Sequence, residues 1–584
     1  MRSERGMTLT TVVVYVLAMV IIIGIVATVT TFFYANTRDM EKSAEALGEY
    51  NKFNMYFLGE IKAEGNKVEK VENGTQIIFS DGTMYTFTDG GIYRNKVKLC
   101  SNIVNCEFSL EEYGEKQIVK VLLEIGKNGE FVKTTEYIIG QGEHQYTSSS
   151  DYSDSKKSSN LIANPPNLAG FNINTTYYVT WEIVSPYVIT DTVPISQPEP
   201  KYWHDYTAGI NRWGNIKTTG NGNNCYWVWI PRYAYQVPVR SSTAQTINIK
   251  FLNGTTNVPM GEDVEITNVT PTVGSWVVHP AFTNAGNKGF GELEGIWVAK
   301  YEASSSSQTS NFVNNDSAFT TALADVTNYG GSSLDTDLQV RVVPNVVSWR
   351  HITVTNIFTV CKNLTTTNNS VANSTGIDSH MMKATEWGAV AYLSRSKYGM
   401  NGKVANNNYY HSSSYASITG VTTNSDTAVT STSTLSKYNS DIGIKASTSG
   451  NVYGIYDMSG GIWEYLAGYV PNYRLSEAQN TNLNAANAKY KDIYTLSGGD
   501  TPAQNYDLNT NRYGDALYET STSGQGSNSW DGDYSGYPAG ANPILSRGGH
   551  SSSGSGAGLF STTGASGLES NSIGFRPVIV IPNL

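Results

Sequence analysis

From Val12 to Phe33 the chain is almost wholly apolar, and no charged residue falls between Arg5 and Arg38. About 20 helical residues span the hydrocarbon core of a bilayer, so residues 8–33 are expected to cross a membrane as one helix. Beyond it, Ala46, Tyr50, Phe53, Phe57 and Ile61 recur at spacings of four, three, four and four, which places them on one face of an amphipathic helix. Strand-like runs follow at Gln76–Ser80, Thr83–Thr88, Gln117–Ile125 and Glu130–Ile139. Asp81-Gly82 and Asn128-Gly129 lie between such runs and predict tight hairpins, because those turns need positive φ. A long helix feeding a small antiparallel sheet is therefore expected over residues 46–140.

The pattern changes at a seam. Gln141 to Asn167 contains a Ser-rich run from Thr147 to Ser159 and then Pro165-Pro166. Such a stretch reads as a linker, placed at residues 141–169. From about Gly170, short apolar or aromatic runs alternate with Gly, Asn, Ser and Thr clusters. Tyr226–Tyr233 and Gly295–Glu302 predict buried strands, and Met381–Ser396 predicts an amphipathic helix. Long irregular loops with few strands indicate an α+β domain over residues 170–584.

Composition sharpens this division. Residues 1–145 hold 15 basic and 19 acidic side chains, whereas all 11 Trp lie at or after Trp181. The net charge of −10 offers no broad basic surface, so nucleic acid is not an expected partner. Cys100 and Cys106 have five residues between them; in an exported domain they are expected to close a short disulfide loop. The alternative is two buried free thiols.

The leader ending in Gly6, followed by Met7-Thr8-Leu9-Thr10-Thr11 and the apolar helix, resembles a type IV prepilin or type II secretion pseudopilin. That resemblance implies cleavage after Gly6 by a prepilin peptidase, methylation of Met7, and a helix over residues 7–45 that is stored in the membrane and later packed in a filament. Residues 1–6 are then a leader and residues 46–140 a pilin-like β domain, with other pilins or pseudopilins as partners. The family usually has Glu at the fifth mature position; here it is Thr11.

Four motifs in the second half occur in a fixed order: Ala384–Trp387, Gly454–Tyr465, Arg547–Gly549 and Gly574–Arg576. Together they resemble the formylglycine-generating (sulfatase-modifying factor) version of the C-type lectin fold. The resemblance makes Trp387, Trp463, Glu464, Arg547, Gly548, Gly549, Gly574, Phe575 and Arg576 fold residues, with Trp463 and Phe575 buried and Arg576 paired inside. The family's enzymes use two C-terminal cysteines to hold copper, but no Cys occurs from Lys362 to Leu584. Their calcium site uses an Asn where this chain has Gly461, so no cofactor is expected and calcium is the one candidate.

No Gly-x-Ser-x-Gly, His-Glu-x-x-His or Cys-x-x-Cys motif is present, and no catalytic residue is assigned. The Ser- and Gly-rich segment from His550 to Asn571 lies between the last two motifs. Its placement resembles the variable region of retroelement-diversified receptors of this fold. Trp530, Asp531, Tyr534, His550, Ser551, Ser555 and Phe560 are therefore expected to share one exposed ligand-binding face. The expected function is surface adhesion to a cell-surface protein or glycan, with the bulk of the chain outside the cell. A membrane-anchored enzyme and a structural tip pseudopilin are the alternatives.

Cleavage is expected between Gly6 and Met7 with the apolar helix retained. N-terminal sequencing of the mature protein checks this, and a mature start near Ala35 would remove the pilin reading.

Overall fold

The computed structural model of the chain describes residues 49–143 and 162–583, apart from positions 51, 64, 114–115, 127–130, 140–141, 183–185, 201–202, 268–269, 307–338, 367–368, 373, 412–415, 472–480 and 498–499. Gly6, Met7, the expected membrane helix, Ala46, Asn128-Gly129 and the Ser-rich run lie outside the described residues. Among the described residues no helix is long and apolar enough to cross a membrane. The chain divides into two units, residues 1–155 and 156–584.

In the first unit, helical residues 52–62 present the predicted apolar stripe, and Tyr50, Phe53, Phe57 and Ile61 are all buried. Phe57 is its hub, with the rings of Phe79, Tyr85, Phe108 and Tyr137 at 5.7, 5.2, 6.1 and 5.0 Å. Those rings come from two antiparallel meanders. One contains β1 (Val68–Glu72), β2 (Gln76–Phe79), β3 (Met84–Thr88), β4 (Gly91–Arg94) and β5 (Val97–Cys100). The other contains β6 (Ile103–Tyr113), β7 (Lys116–Ile125), β8 (Phe131–Ile138) and β9 (Gly142–Glu143). Gln117 joins them: its side chain accepts from the Val68 N–H at 2.7 Å and donates to the Val68 carbonyl at 2.9 Å.

The expected Cys100–Cys106 disulfide is corrected, since both are free, buried thiols. Cys100 Sγ donates to the Glu49 carbonyl at 3.4 Å, and burial, with Glu49 adding to it, pushes that thiol up to about 12.

The second unit is built on a seven-stranded antiparallel sheet. In chain order its members are β10 (Thr176–Glu182), β11 (Val188–Pro194), β12 (Asn215–Gly220), β13 (Asn223–Pro231), β17 (Gly295–Ala299), β18 (Asp378–Met381) and β24 (Pro577–Val580), arranged β11-β10-β12-β13-β17-β24-β18. Between β13 and β17 the chain forms a three-stranded sheet, β14 (Tyr233–Gln236), β15 (Ile249–Phe251) and β16 (Trp276–Val278), with β14 central. Helix α1 (Val354–Lys362) precedes β18, and α2 (Ala384–Ser394) follows it. The last sheet runs β20 (Asp492–Ile493), β19 (Trp463–Tyr469), β21 (Ile544–Gly548), β22 (Gly558–Ala565), with β23 (Ile573–Phe575) parallel to β19. The architecture is α+β with mainly antiparallel sheets, as expected.

Two expectations shift here. The linker is shorter than predicted, because Ala163 and Asn164 are buried; the indoles of Trp229 and Trp297 donate to the Asn164 and Asn167 carbonyls. Helix α2 is not amphipathic: all its residues are buried. Its polar side chains have internal partners instead of water. Glu386 accepts from the Lys383 N–H at 2.8 Å and contacts His380 Nε2 at 2.9 Å, and Thr385 bonds Asp492.

Glu519 fastens the three-stranded sheet to α2. Its carboxylate accepts from the Tyr235 and Tyr392 hydroxyls at 2.8 and 2.7 Å and from the Gly514 N–H at 2.6 Å. Burial raises it to about 7 against these three donors, and Asp515 adds to the rise. The folded state therefore holds the proton more tightly than the unfolded chain does. That contribution is fully present below about pH 4.5 and is lost as pH rises through about 7, roughly 3 kcal/mol in all. Glu519→Gln should flatten this part of the stability–pH profile. Denaturant titrations of parent and variant at pH 4.5 and 8 check it; parallel profiles would mean that Glu519 does not titrate there.

Candidate functional site

The hairpin of β21 and β22 carries the segment singled out for ligand binding. Residues 549–557 leave the ladder, Gly558–Ala565 is strand, and positions 566–571 leave it again, so the segment His550–Asn571 is not one continuous surface. Gly549 starts the excursion with φ 78°, and a Cβ there would lie 2.6 Å from Ala557 Cα, so only Gly fits. The excursion is internally bonded. His550 N–H donates to Ser553 Oγ at 3.1 Å, Ser553 N–H returns to the His550 carbonyl at 2.8 Å, and Ser551 N–H docks on the Gly461 carbonyl at 2.8 Å. Burial holds His550 below its ordinary value; its Nδ1 accepts from the Ser552 N–H at 3.2 Å and lies 2.9 Å from the Ser552 hydroxyl.

The seven residues expected on one face separate. Ser555 is exposed; Tyr534, His550 and Asp531 are half-buried. Trp530, Ser551 and Phe560 are corrected to buried. Phe560 belongs to β22, which is covered on both faces, and Trp530 packs edge-on against it at 5.1 Å between ring centres. Asp531 takes φ 62° and pairs with Arg395 at 3.2 Å. Asp533, also buried, accepts from the Phe560 N–H at 2.9 Å. Trp463 departs the other way: expected in the core, it is half-buried and lies edge-on to His550 at 6.4 Å.

Of the fold residues, Trp387, Glu464, Arg547, Gly548, Gly549, Gly574, Phe575 and Arg576 are all buried. Arg576 grips both Glu464 oxygens at 2.6 and 3.1 Å, the internal pairing that was expected.

A surface is nonetheless assembled, from four loops. Tyr534 N–H donates to the Gly556 carbonyl at 2.9 Å. Asn406 Nδ2 donates to the Gly554 carbonyl and to Asp426 Oδ1, both at 2.9 Å, and Lys403 pairs with Asp426 at 2.9 Å. A cavity of about 270 Å³ opens there, lined by Met400, Lys403, Asn406, Asn424, Asp426 and Lys445 among others. Segments 403–408, 424–426, 530–534 and 549–557 thus meet. Lys403 and Lys445 were missed from sequence, whereas Asp426 falls in the Asn- and Ser-rich stretch Asn406–Asp441, the alternative place for a binding surface; the side chains of its opening triplet Asn406-Asn407-Asn408 are all buried.

The residues at the family's calcium position do not fit that ion. Glu464 is occupied by Arg576, and the space over Gly461 is filled by Glu302, whose Oε1 would lie 2.2 Å from a Cβ there. Glu302 accepts from the Ile462 N–H at 2.9 Å and from the Ser348 hydroxyl. Burial, then Asp457 and Glu464, raise Glu302 well above the carboxylate range. Among the described residues no cluster of three or more His, Cys, Asp or Glu is arranged to hold a metal. No protein-family model matches this sequence, and no curated protein matches it.

Trp530→Ala should therefore destabilise the second unit by roughly 3–5 kcal/mol. Ser555→Ala should stay within about 0.5 kcal/mol of the parent. Thermal unfolding of the two variants separates scaffold from surface; equal melting temperatures would contradict the burial of Trp530.

Proposed function

We propose that this chain is a surface-displayed, pilin-like binding protein that performs no catalysis. Residues 1–6 act as a prepilin leader and residues 7–45 as the membrane and filament helix. The first unit is the pilin-like domain, and the second is a sulfatase-modifying-factor-like C-type lectin fold that carries recognition. Its partners are a prepilin peptidase, other pilins or pseudopilins, and a cell-surface protein or glycan.

The observation that supports this reading best is the meeting of four loops on one face, where two of them, 403–408 and 424–426, line a polar cavity. Binding residues concentrate on loops held by a rigid scaffold. Ser, Asn and Tyr groups supply adaptable hydrogen bonds there, while Lys403, Asp426 and Lys445 give the cavity both charge signs. In the first unit, the packing of Phe53, Phe57 and Ile61 against antiparallel meanders agrees with a pilin-like domain.

Cell-surface attachment of full-length variants Tyr534→Ala, Ser555→Trp and Lys403→Glu tests the reading. All three should melt like the parent, and at least one should reduce attachment by about tenfold or more, since a few residues dominate most interfaces. Parent-like attachment by all three would move recognition off this face.

A further inference from the structure

A larger groove, of about 820 Å³, opens along β15, within the ~300–1,000 Å³ range of small-ligand clefts. Its walls contain Trp276 and Tyr398, and the choice of Trp276 is informative. Nine of the 11 Trp are buried, and Trp276 and Trp463 alone keep part of their rings exposed. Tyr398 is braced by Phe251 at 4.8 Å. The polar wall has both signs of charge. Lys250 pairs with Glu262 at 2.6 Å and lies 5.1 Å from the Trp276 ring centre. Asn248 is exposed on the rim. Lys397 is exposed, rests 5.0 Å over the Tyr398 ring, and pairs with no carboxylate among the described residues.

Two rings beside a carboxylate, an amide and ammonium groups match a sugar, which presents apolar C–H faces between rows of hydroxyls. The same pattern opposes a purely apolar ligand, which would strand the charged groups without water. An extended peptide would need a long free strand edge, yet the three-residue β15 has its outer edge capped at both ends. The Phe251 carbonyl accepts from the Met260 N–H at 2.8 Å, and the adjacent Ile247 N–H donates to the Arg395 carbonyl at 2.9 Å. The uncompensated Lys397 selects for an anionic ligand. From these features we propose that the groove binds a short acidic oligosaccharide. This site is separate from the four-loop face and its cavity, and the inference does not rest on the adhesin reading.

The test applies oligogalacturonates, heparin oligosaccharides and neutral cellodextrins to immobilised full-length protein. At least one acidic series should bind, at least about tenfold more tightly than the cellodextrins, and its binding should weaken with added salt. Tyr398→Ala should abolish binding, and Lys397→Gln should remove most of the preference for acidic sugars. Asn248→Trp fills the groove from an exposed position and should abolish binding at an unchanged melting temperature, which covers the case in which Tyr398→Ala fails to fold. Tyr534→Ala and Ser555→Trp should bind like the parent. Failure of every acidic sugar to bind, a preference for cellodextrins, or full binding by a folded Asn248→Trp would each overturn the proposal. So would loss of sugar binding in the four-loop variants alone, which would assign the sugar to that cavity instead.

Discussion

A unit made largely of loops must find a partner for every backbone carbonyl it buries, and here buried guanidinium groups meet that need. Arg547 has no exposed surface, and its donors reach the carbonyls of Asp515, Ala516, Leu559 and Ser561 at 2.9–3.1 Å. Arg576 reaches the Ala299 and Tyr456 carbonyls while holding Glu464. One side chain therefore ties β17, the loop before β19, and β19 itself. A buried ion left without a partner costs several kcal/mol, so these segments are constrained to arrive together. Burial lowers Arg547 only to about 10, and the charge persists at neutral pH. Indole donors do the same work on a smaller scale, as when Trp387 bonds the Leu559 carbonyl and Trp213 the Tyr398 carbonyl.

How much of this was legible depends on the range of the interaction concerned. In the first unit, the rhythm of Tyr50, Phe53, Phe57 and Ile61 is local, and so are the runs that became β2, β3, β7 and β8. The turns were less so: at the predicted Asp81-Gly82 only Gly82 takes positive φ, whereas Asn73-Gly74, Asp89-Gly90 and Asn95-Lys96, which were not singled out, take it at both positions, as two-residue hairpins prefer. Helix α2 misled because polar residues at its start imply water, whereas Glu386 and Thr385 serve as buried partners. Gly388 shows how completely it is covered, since a Cβ there would lie 2.0 Å from the Gly514 carbonyl oxygen.

The candidate face was harder for the same reason. Ser, Thr and Gly in residues 558–564 suggest a flexible surface, but small side chains are what a strand needs when both of its faces are covered. A Cβ at Gly558 would lie 2.1 Å from the Asp533 carboxylate. Phe560 and Trp530 then fill the remaining space. Exposure at these positions follows from contacts with elements far away in sequence, and no short pattern encodes it. Trp463 shows the converse, since its motif marks a fold residue while part of the ring remains open beside His550.

Both surfaces depend on the segment that leaves α2. The Arg395 side chain pairs with Asp531 of the four-loop face, and its carbonyl receives the Ile247 N–H at the groove. Lys397 and Tyr398 then line the groove, and Met400 and Lys403 line the cavity. The segment is itself fixed, because Asn401 N–H bonds the Ser394 carbonyl and Met400 N–H bonds the Thr448 carbonyl. A helix buried on every side cannot shift to suit one opening without disturbing its packing elsewhere. Side chains on this segment therefore project from a nearly rigid base, and conformational freedom is left to the long side chains of Lys397 and Lys403 and to the short loops opposite them. Such a base lowers the ordering cost of binding, which suits recognition by a few polar contacts of modest individual strength.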